Sequence, residues 1–311
     1  LRELPMINFT EALAASKKYL ASDEALASLA RDPYWPKWNT PWWHMLLLHE
    51  LGLAREIPAS VVQKMVEVLK THYLPIFPIR ADEIPQGTDP YRQIACLCSI
   101  GNMYQVLFHA GVDVDKELPW MREWFFRYQL PDGGLNCDEN AYTKPAPKSS
   151  IVTTMACLEA VFFCRKHLLT TQEAEFLTRG AQYLVNQRLF RKRSTGEIID
   201  SEWLEIRFPR FYDYDFFRGY YFLAKWREFS GFAIPEELEQ EAQVLIAKQL
   251  SSDGIILRRY NLFEKRSYNP QDDGSWKMGA ASEFDLMKAV SQPGFPCGAL
   301  TTKLREITCT T

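Results

Sequence analysis

The chain contains 311 residues, of which 47% are hydrophobic and 14% are aromatic, so it has enough apolar material for a large core. Its net charge is −3, which argues against nucleic acid as an obligate partner because nucleic-acid-binding proteins usually carry a basic face. No apolar stretch reaches the ~20 residues that cross a bilayer. The seven cysteines are odd in number and lack CxxC spacing, so we expect reduced thiols in a cytoplasmic protein.

Helices of two kinds alternate along the chain. Amphipathic helices, with a polar face for solvent, are predicted at 9–31, 59–72, 117–129, 171–188 and 236–249. Helices that are apolar on almost every side, and are therefore expected to be buried, are predicted at 42–52, 91–110, 149–165, 212–229 and 297–308. This alternation predicts an all-α fold, an α/α toroid in which an outer ring of helices packs around an inner ring. We expect about five to six helical hairpins in one domain spanning residues 1–311.

A short pattern occurs three times between residues 129 and 276. The first copy reads Gln129-Leu-Pro-Asp-Gly-Gly-Leu-Asn-Cys-Asp138, the second Gln249-Leu-Ser-Ser-Asp-Gly-Ile255 and the third Gln271-Asp-Asp-Gly-Ser-Trp276. In the first two copies an amphipathic helix runs up to the glutamine, and a turn then carries Asp-Gly. The pattern therefore indicates a repeated helix–turn–helix unit.

These repeats resemble the QW motifs of the prenyltransferase and squalene-cyclase repeat superfamily, which end in Asp-Gly-Gly-Trp or Asp-Gly-Ser-Trp. The segment from Arg188 to Asp215 also looks like a bacterial subgroup of short members of that superfamily. The resemblance covers about two thirds of the chain, from about Trp42 to Trp276. It implies a toroid with an aromatic-lined central cavity, and a small apolar or isoprenoid ligand as the partner.

The chain departs from the superfamily at the residues that carry its best-known reactions. Only the copy that ends at Trp276 keeps the tryptophan of the repeat. The segment Asp213-Tyr-Asp215-Phe216 lacks the last acid of the DxDD motif of triterpene cyclases. No histidine follows His167 to complete the zinc site of protein prenyltransferases. We therefore expect neither a metal nor another cofactor.

Asp213 and Asp215 are the candidate catalytic residues, because they open a helix that is expected to be buried. A carboxylic acid in a dry, aromatic cavity has a raised pKa and can protonate an alkene. Tyr212 and Phe216 would present aromatic faces to the resulting carbocation. The alternative is that both aspartates cap the helix that follows them and interact with its dipole.

Two groups of basic residues are candidate ligands for an anion. One group flanks the aspartates and contains Arg207, Arg210 and Arg218, which would bind a phosphate if they converge. The other is a dense basic run that would bind a diphosphate or make a peripheral contact with an anionic membrane surface, and its residues are Arg188, Arg191, Lys192 and Arg193. The alternatives are a salt-bridge network for the first group and a solvated helix end for the second.

Further ligand-binding candidates come from the apolar helices and from the first repeat. They are Trp43, His44, Cys98, Asn102, Asn136, Cys137 and Asp138. A polar residue in an apolar helix needs a hydrogen-bond partner, which is either a ligand or a structural group. Cys96 and Cys98 are expected to point to different sides of their helix, which argues against a metal shared between them.

The leading functional hypothesis is a protein that binds or transforms an isoprenoid or similar apolar ligand in the central cavity by acid-initiated chemistry. The second hypothesis is a carbohydrate-active toroid, a lyase or hydrolase. It requires paired carboxylates across an open cleft, and the candidates are Asp138, Glu139, Asp213 and Asp215. The third is a non-catalytic binding or assembly protein on the same fold. The oligomeric state does not follow from the sequence.

Overall fold

A computed structural model describes residues 7–71, 96–138, 140–143, 145–165, 167–258 and 266–308. Within these ranges the chain is mostly helical. The α-helices in chain order are α1 (Phe9–Leu20), α2 (Asp23–Arg31), α3 (Pro41–Glu50), α4 (Ala59–Thr71), α5 (Leu97–Ala110), α6 (Val114–Glu117), α7 (Trp120–Arg127), α8 (Asn140–Thr143), α9 (Ile151–Arg165), α10 (Thr171–Asn186), α11 (Phe216–Ser230), α12 (Glu236–Ala247), α13 (Asp285–Val290) and α14 (Gly298–Thr308). Two antiparallel pairs of strands join β1 (Leu250–Ser251) to β2 (Gly254–Ile255) and β3 (Arg266–Pro270) to β4 (Trp276–Ala280). None of the helices described is both long enough and apolar enough to pass through a lipid bilayer.

The helices that the sequence predicts to be buried correspond to α3, α5, α9, α11 and α14. In α3 every residue from Pro41 to Leu48 is buried, and α9 buries most of its residues. Helix α14 differs, because it buries only a narrow face at Leu300, Thr301 and Leu304. The part of the 91–110 prediction before Cys96 lies outside the described residues.

The amphipathic helix predicted at 9–31 is two helices, α1 and α2, so that prediction was wrong. The chain turns at Ala21 and Ser22, and the Ser22 hydroxyl accepts a hydrogen bond from the backbone N–H of Ala25. An N-cap of this kind supplies an acceptor to the free amides of a helix start. The local capping chemistry therefore interrupts a continuous apolar stripe.

Glutamine fixes the turn in the first two repeats. Gln129 Nε2 donates to the carbonyls of Gly133 at 2.8 Å and Phe176 at 2.9 Å, which ties the turn after α7 to α10. Gln249 bonds to both the N–H and the C=O of Ile206. The third copy is different, because Gln271 begins the turn of the β3–β4 hairpin and directly follows strand β3.

Helices α5 and α9 make a close backbone contact in the interior. A Cβ atom added at Gly101 would lie 2.6 Å from the carbonyl carbon and oxygen of Ala156. Such a distance is shorter than any normal van der Waals contact, so only glycine allows this approach. The buried apolar cluster around this contact extends from Ala12 to Leu304.

Candidate functional site

Five helices, α3, α5, α9, α11 and α14, contribute side chains to one cavity of about 490 Å³. This volume is within the range of small-molecule sites, about 300–1,000 Å³. The cavity wall is strongly charged, although these helices are mainly apolar. Its basic, acidic and histidine residues are Arg55, Arg210, Arg218, Lys303, Glu50, Glu159, His49 and His109.

Arg218 and Glu159 form a buried ion pair in the wall. Arg218 Nε lies 3.0 Å from Glu159 Oε1, and Arg218 Nη2 lies 2.5 Å from Glu159 Oε2. The side chains are 6% and 9% exposed, respectively. Burial raises the pKa of Glu159, but the charge and hydrogen bonds of Arg218 outweigh burial and leave that pKa below its usual value. This carboxylate therefore balances a cation and is ionised at neutral pH.

Glu50, at the end of α3, binds the backbone that precedes α11. Its carboxylate accepts the N–H of Arg210 at 2.8 Å and also the N–H of Phe211. These bonds fix the backbone from which the buried Arg210 side chain extends into the cavity wall. Arg210 Nη1 lies 3.7 Å from Asp215 Oδ1 and has no hydrogen-bond partner within the described part of the chain. A buried guanidinium N–H without an acceptor is costly, so the nearby charge of Asp215 helps to stabilise this atom.

Lys303 extends the positive charge of the wall. Its Nζ lies 5.4 Å from the ring centroid of Tyr221. Burial, with the charge of Arg210 as the next cause, lowers the pKa of Lys303 to about 8. With the exposed Arg55, the wall carries four cations and two carboxylates in the described residues. When Asp215, which pairs with Arg210 from outside the wall, is also counted, the cations still outnumber the carboxylates by one, and this surplus favours an anion.

Two histidines lie side by side in the wall, with ring centroids 5.0 Å apart. His109 Nδ1 is 2.8 Å from the carbonyl of Gln105 and must carry the proton of that hydrogen bond, which leaves Nε2 as an acceptor. Burial lowers the pKa of His109, and burial followed by the charge of His109 lowers the pKa of His49 to about 3. Both rings are therefore neutral proton acceptors at pH 7.

The cavity contains only part of the site that the sequence predicts. Asn102 and Arg218 line it, and the Asn102 amide lies 3.5 Å from Arg218 Nη2. Arg210 converges with Arg218 as the sequence analysis required for a phosphate site, whereas Arg207 instead pairs with Glu202.

The two aspartates do not line this cavity in the described structure. Asp215 is fully buried and caps α11, where its carboxylate accepts the N–H of Arg218 at 2.8 Å and the N–H of Arg207 at 3.3 Å. Asp213 Oδ2 lies 3.8 Å from Arg207 Nη1. For Asp215 the structure has the capping arrangement that was the alternative to catalysis, and its oxygens are occupied by protein donors.

Four further candidates lie in the core or beside it. His44 is buried, bonds to Ser16 Oγ at 2.7 Å, and stacks on Phe284. Trp43 is fully buried and donates to the carbonyl of Tyr34. Phe216 is also fully buried, and the hydroxyl of Tyr212 accepts from Lys37. Structural partners therefore account for these side chains, and none of the four lines the described cavity.

The candidates of the first repeat lie elsewhere, next to the start of α5. Asn136 Nδ2 donates to the carbonyl of Lys148, and Asp138 is exposed. Cys98 and Cys137 belong to a group of three thiols with Cys96. The expectation that Cys96 and Cys98 diverge was wrong, because Cys96 is the N-cap of α5 with non-helical torsion angles and its sulfur lies 3.1 Å from that of Cys98. Glu139 lies outside the described residues.

The dense basic run is largely neutralised by glutamates. Arg188 and Arg191 both pair with Glu241, and Lys192 pairs with Glu197. Partly or fully exposed pairs of this kind are weak, but they leave less charge for a ligand than the buried cations of the cavity. The geometry therefore favours the cavity as the anion site.

The sequence analysis did not identify Glu50, Glu159 or Lys303 as site residues. A usable signal was present, because each of them lies in or at the end of one of the helices predicted to be buried. Charged side chains are rarely buried without a partner or a ligand. In comparisons with known proteins, no family model, curated protein or solved structure matched this chain.

Proposed function

We propose that the cavity binds a small organic anion of the isoprenoid diphosphate class. The observation that carries the proposal is the convergence of Arg210, Arg218 and Lys303 on one partly enclosed space, where cations outnumber carboxylates. Arginine binds phosphate oxygens through pairs of parallel hydrogen bonds. Arg210 is the cation to test first, because it lines the cavity and its Nη1 atom has no hydrogen-bond acceptor among the described residues.

The rest of the wall suits an apolar chain attached to such a head group. Phe108, Phe163, Phe211 and Tyr221 contribute aromatic surface, and the rings of Phe163 and Tyr221 lie 5.7 Å apart. This combination extends the sequence-based proposal of an apolar isoprenoid ligand by adding a charged head. The α/α toroid belongs to the same proposal, and it is supported by the five helices that surround the cavity.

The cations also suggest how a bound diphosphate would react. Positive charge fixed around a leaving diphosphate stabilises the charge that develops as its C–O bond breaks. The bond's electron pair would leave with the diphosphate, aromatic faces would stabilise the allylic cation, and neutral His109 would accept a proton. This route replaces acid initiation by Asp213 or Asp215, which lie outside the cavity wall.

Isothermal titration calorimetry with three probes tests the proposal. We expect farnesyl diphosphate to bind more tightly than inorganic pyrophosphate, which lacks the chain, and more tightly than farnesol, which lacks the charge. Arg210→Gln should weaken farnesyl diphosphate binding by about 10–100-fold, the value of one or two hydrogen bonds to a charged group. Arg193→Gln, in the exposed basic run, is the matched control and should have no effect.

Two results would contradict this function. One is equal affinity for farnesol and farnesyl diphosphate, which would show that the cations contribute nothing. The other is unchanged diphosphate affinity in Arg210→Gln when far-UV circular dichroism shows that the variant is folded. In that case the charged cavity is not the binding site.

A further inference from the structure

Three cysteine sulfurs meet at the start of α5, in a group that we call the thiol cluster: Cys96, Cys98 and Cys137. The Sγ–Sγ distances are 3.1 Å between Cys96 and Cys98, 3.6 Å between Cys96 and Cys137, and 3.5 Å between Cys98 and Cys137. All three residues are partly exposed. None of them lines the charged cavity in the described residues, so the cluster is a separate feature.

The backbone explains why distant residues of the sequence meet here. Leu135 and Ser150 form an antiparallel bridge, which holds the loop that carries Cys137 against the start of α9. The glycine contact between α5 and α9 brings the start of α5 to the same place. Because Cys96 is the N-cap and not a helical residue, its side chain turns back toward Cys98. The arrangement is therefore imposed by packing and does not depend on a disulfide.

We propose that the thiol cluster binds Zn²⁺ through three thiolates, with a fourth coordination position open to solvent. Thiolates select soft and borderline cations, and Zn²⁺ is commonly held by three protein ligands and a water molecule. A Zn–S bond of about 2.3 Å places the sulfurs of a tetrahedral site ~3.8 Å apart. The three observed distances are shorter than this by less than about 1 Å, so small side-chain movements would complete the site.

The surroundings of the cluster support thiolate ligands. The backbone N–H of Cys98 donates to Cys137 Sγ at 3.4 Å, and the hydroxyl of Thr153 donates to the same sulfur at 3.2 Å. Donors to a ligand sulfur orient it and stabilise its negative charge. The N-terminus of the 14-residue helix α5 adds a positive dipole end beside Cys96 and Cys98. A site with three sulfurs and two oriented donors is more than a chance contact between free thiols.

The test uses the full chain, reduced and freed of metal. Titration with Co²⁺ should produce a near-ultraviolet sulfur-to-cobalt charge-transfer band that saturates at about one ion per chain, and Zn²⁺ should abolish that band by displacing the cobalt. Cys137→Ser should weaken Zn²⁺ binding by more than about 100-fold, because it removes a ligand outright. Thr153→Val, which keeps all three thiols, should weaken it by about tenfold.

Cys164→Ser is the matched control, because Cys164 lies in α9 but outside the cluster, and it should bind Zn²⁺ like the unmodified chain. Far-UV circular dichroism identifies a variant that fails to fold, and in that case Thr153→Val supplies the result. The proposal is overturned if the unmodified reduced chain gives no charge-transfer band. It is also overturned if folded Cys137→Ser binds Zn²⁺ as tightly as the unmodified chain. Neither result depends on what the charged cavity binds.

Discussion

Replacing Glu159 with glutamine tests whether this carboxylate stabilises the fold and, at the same time, weakens ligand binding in the charged cavity. Glu159 is the ion-pair partner of the buried Arg218, and the two side chains share three hydrogen bonds. Glutamine has almost the same shape and keeps one acceptor oxygen. The substitution therefore removes the charge of Glu159 while leaving the packing of α9 against α11 nearly unchanged.

We expect this substitution to lower the free energy of unfolding by about 3 kcal/mol. Removing one partner of a buried ion pair typically costs about 3–5 kcal/mol, because the other charge stays buried without compensation. The lower end of this range of destabilisation applies here, because the glutamine oxygen can still accept a hydrogen bond from Arg218. Urea unfolding of both proteins measures the difference. Glu197→Gln, which breaks the exposed pair with Lys192, is the control and should leave stability unchanged.

The difference should depend on pH in a defined direction. The pKa of Glu159 is lowered in the folded protein, so its contribution to stability is complete above the ordinary value of 4.5. That contribution is lost as the pH falls from there through the folded pKa, because the carboxylate must then bind a proton. The two proteins should therefore become more similar in stability below pH 4.5.

Ligand affinity should change in the opposite direction to stability. Glu159→Gln leaves Glu50 as the only carboxylate among the described residues of the cavity wall, so farnesyl diphosphate should bind about tenfold more tightly, or ~1.4 kcal/mol. Reduced affinity would show that Glu159 itself binds the ligand and would refute the charge-balance argument. Unchanged stability would show that Arg218 and Glu159 are not a buried pair in solution.

Two further predictions concern Lys303 and Gly101. Burial and the charge of Arg210 lower the pKa of Lys303 to about 8, and only the protonated amine attracts an anion. Diphosphate affinity, measured by calorimetry, should therefore fall as the pH rises from 7 to 9. For Lys303→Met the affinity should depend less on pH. Gly101→Ala should destabilise the fold by about 1–3 kcal/mol in urea unfolding, because its Cβ would collide with the α9 backbone. Gly298→Ala should be neutral or stabilising, because a Cβ atom added there would meet no described atom within 4 Å. Equal effects of the two substitutions would refute the close contact.

Much of the helix pattern could be predicted from the sequence, because the buried face of a helix carries apolar residues at regular intervals along the chain. The ranges predicted for α9 and α10 agree with the structure to within about two residues, the usual uncertainty of helix ends. The split between α1 and α2 was missed, since the capping hydroxyl of Ser22 interrupts an otherwise regular pattern. The hairpin at Gln271 was missed because its short motif resembles the helical repeats while the preceding residues form a strand.

The site was harder to predict than the fold, because its contacts join residues that are far apart in the chain. Glu159 is 59 positions from Arg218, and Cys137 is 39 positions from Cys98. Spacing rules for helices apply within one or two turns and carry no information about such pairs. Asp215 was ambiguous for another reason: an acid at a helix start fits both a cap and a catalyst, and only its hydrogen bonds distinguish the two.

Helices α5 and α9 carry residues of both proposed sites, in the same order along each helix. Cys98 and Thr153 lie in the first turns beside the thiol cluster, whereas Asn102 and Glu159 lie further along and line the cavity. Because the two backbones touch at Gly101, neither helix can slide along the other without moving residues of both sites. If Zn²⁺ binds at the helix starts, we expect it to restrict that movement and so to affect the cavity. If Zn²⁺ changes the affinity for a diphosphate, the diphosphate must change the affinity for Zn²⁺ by the same factor.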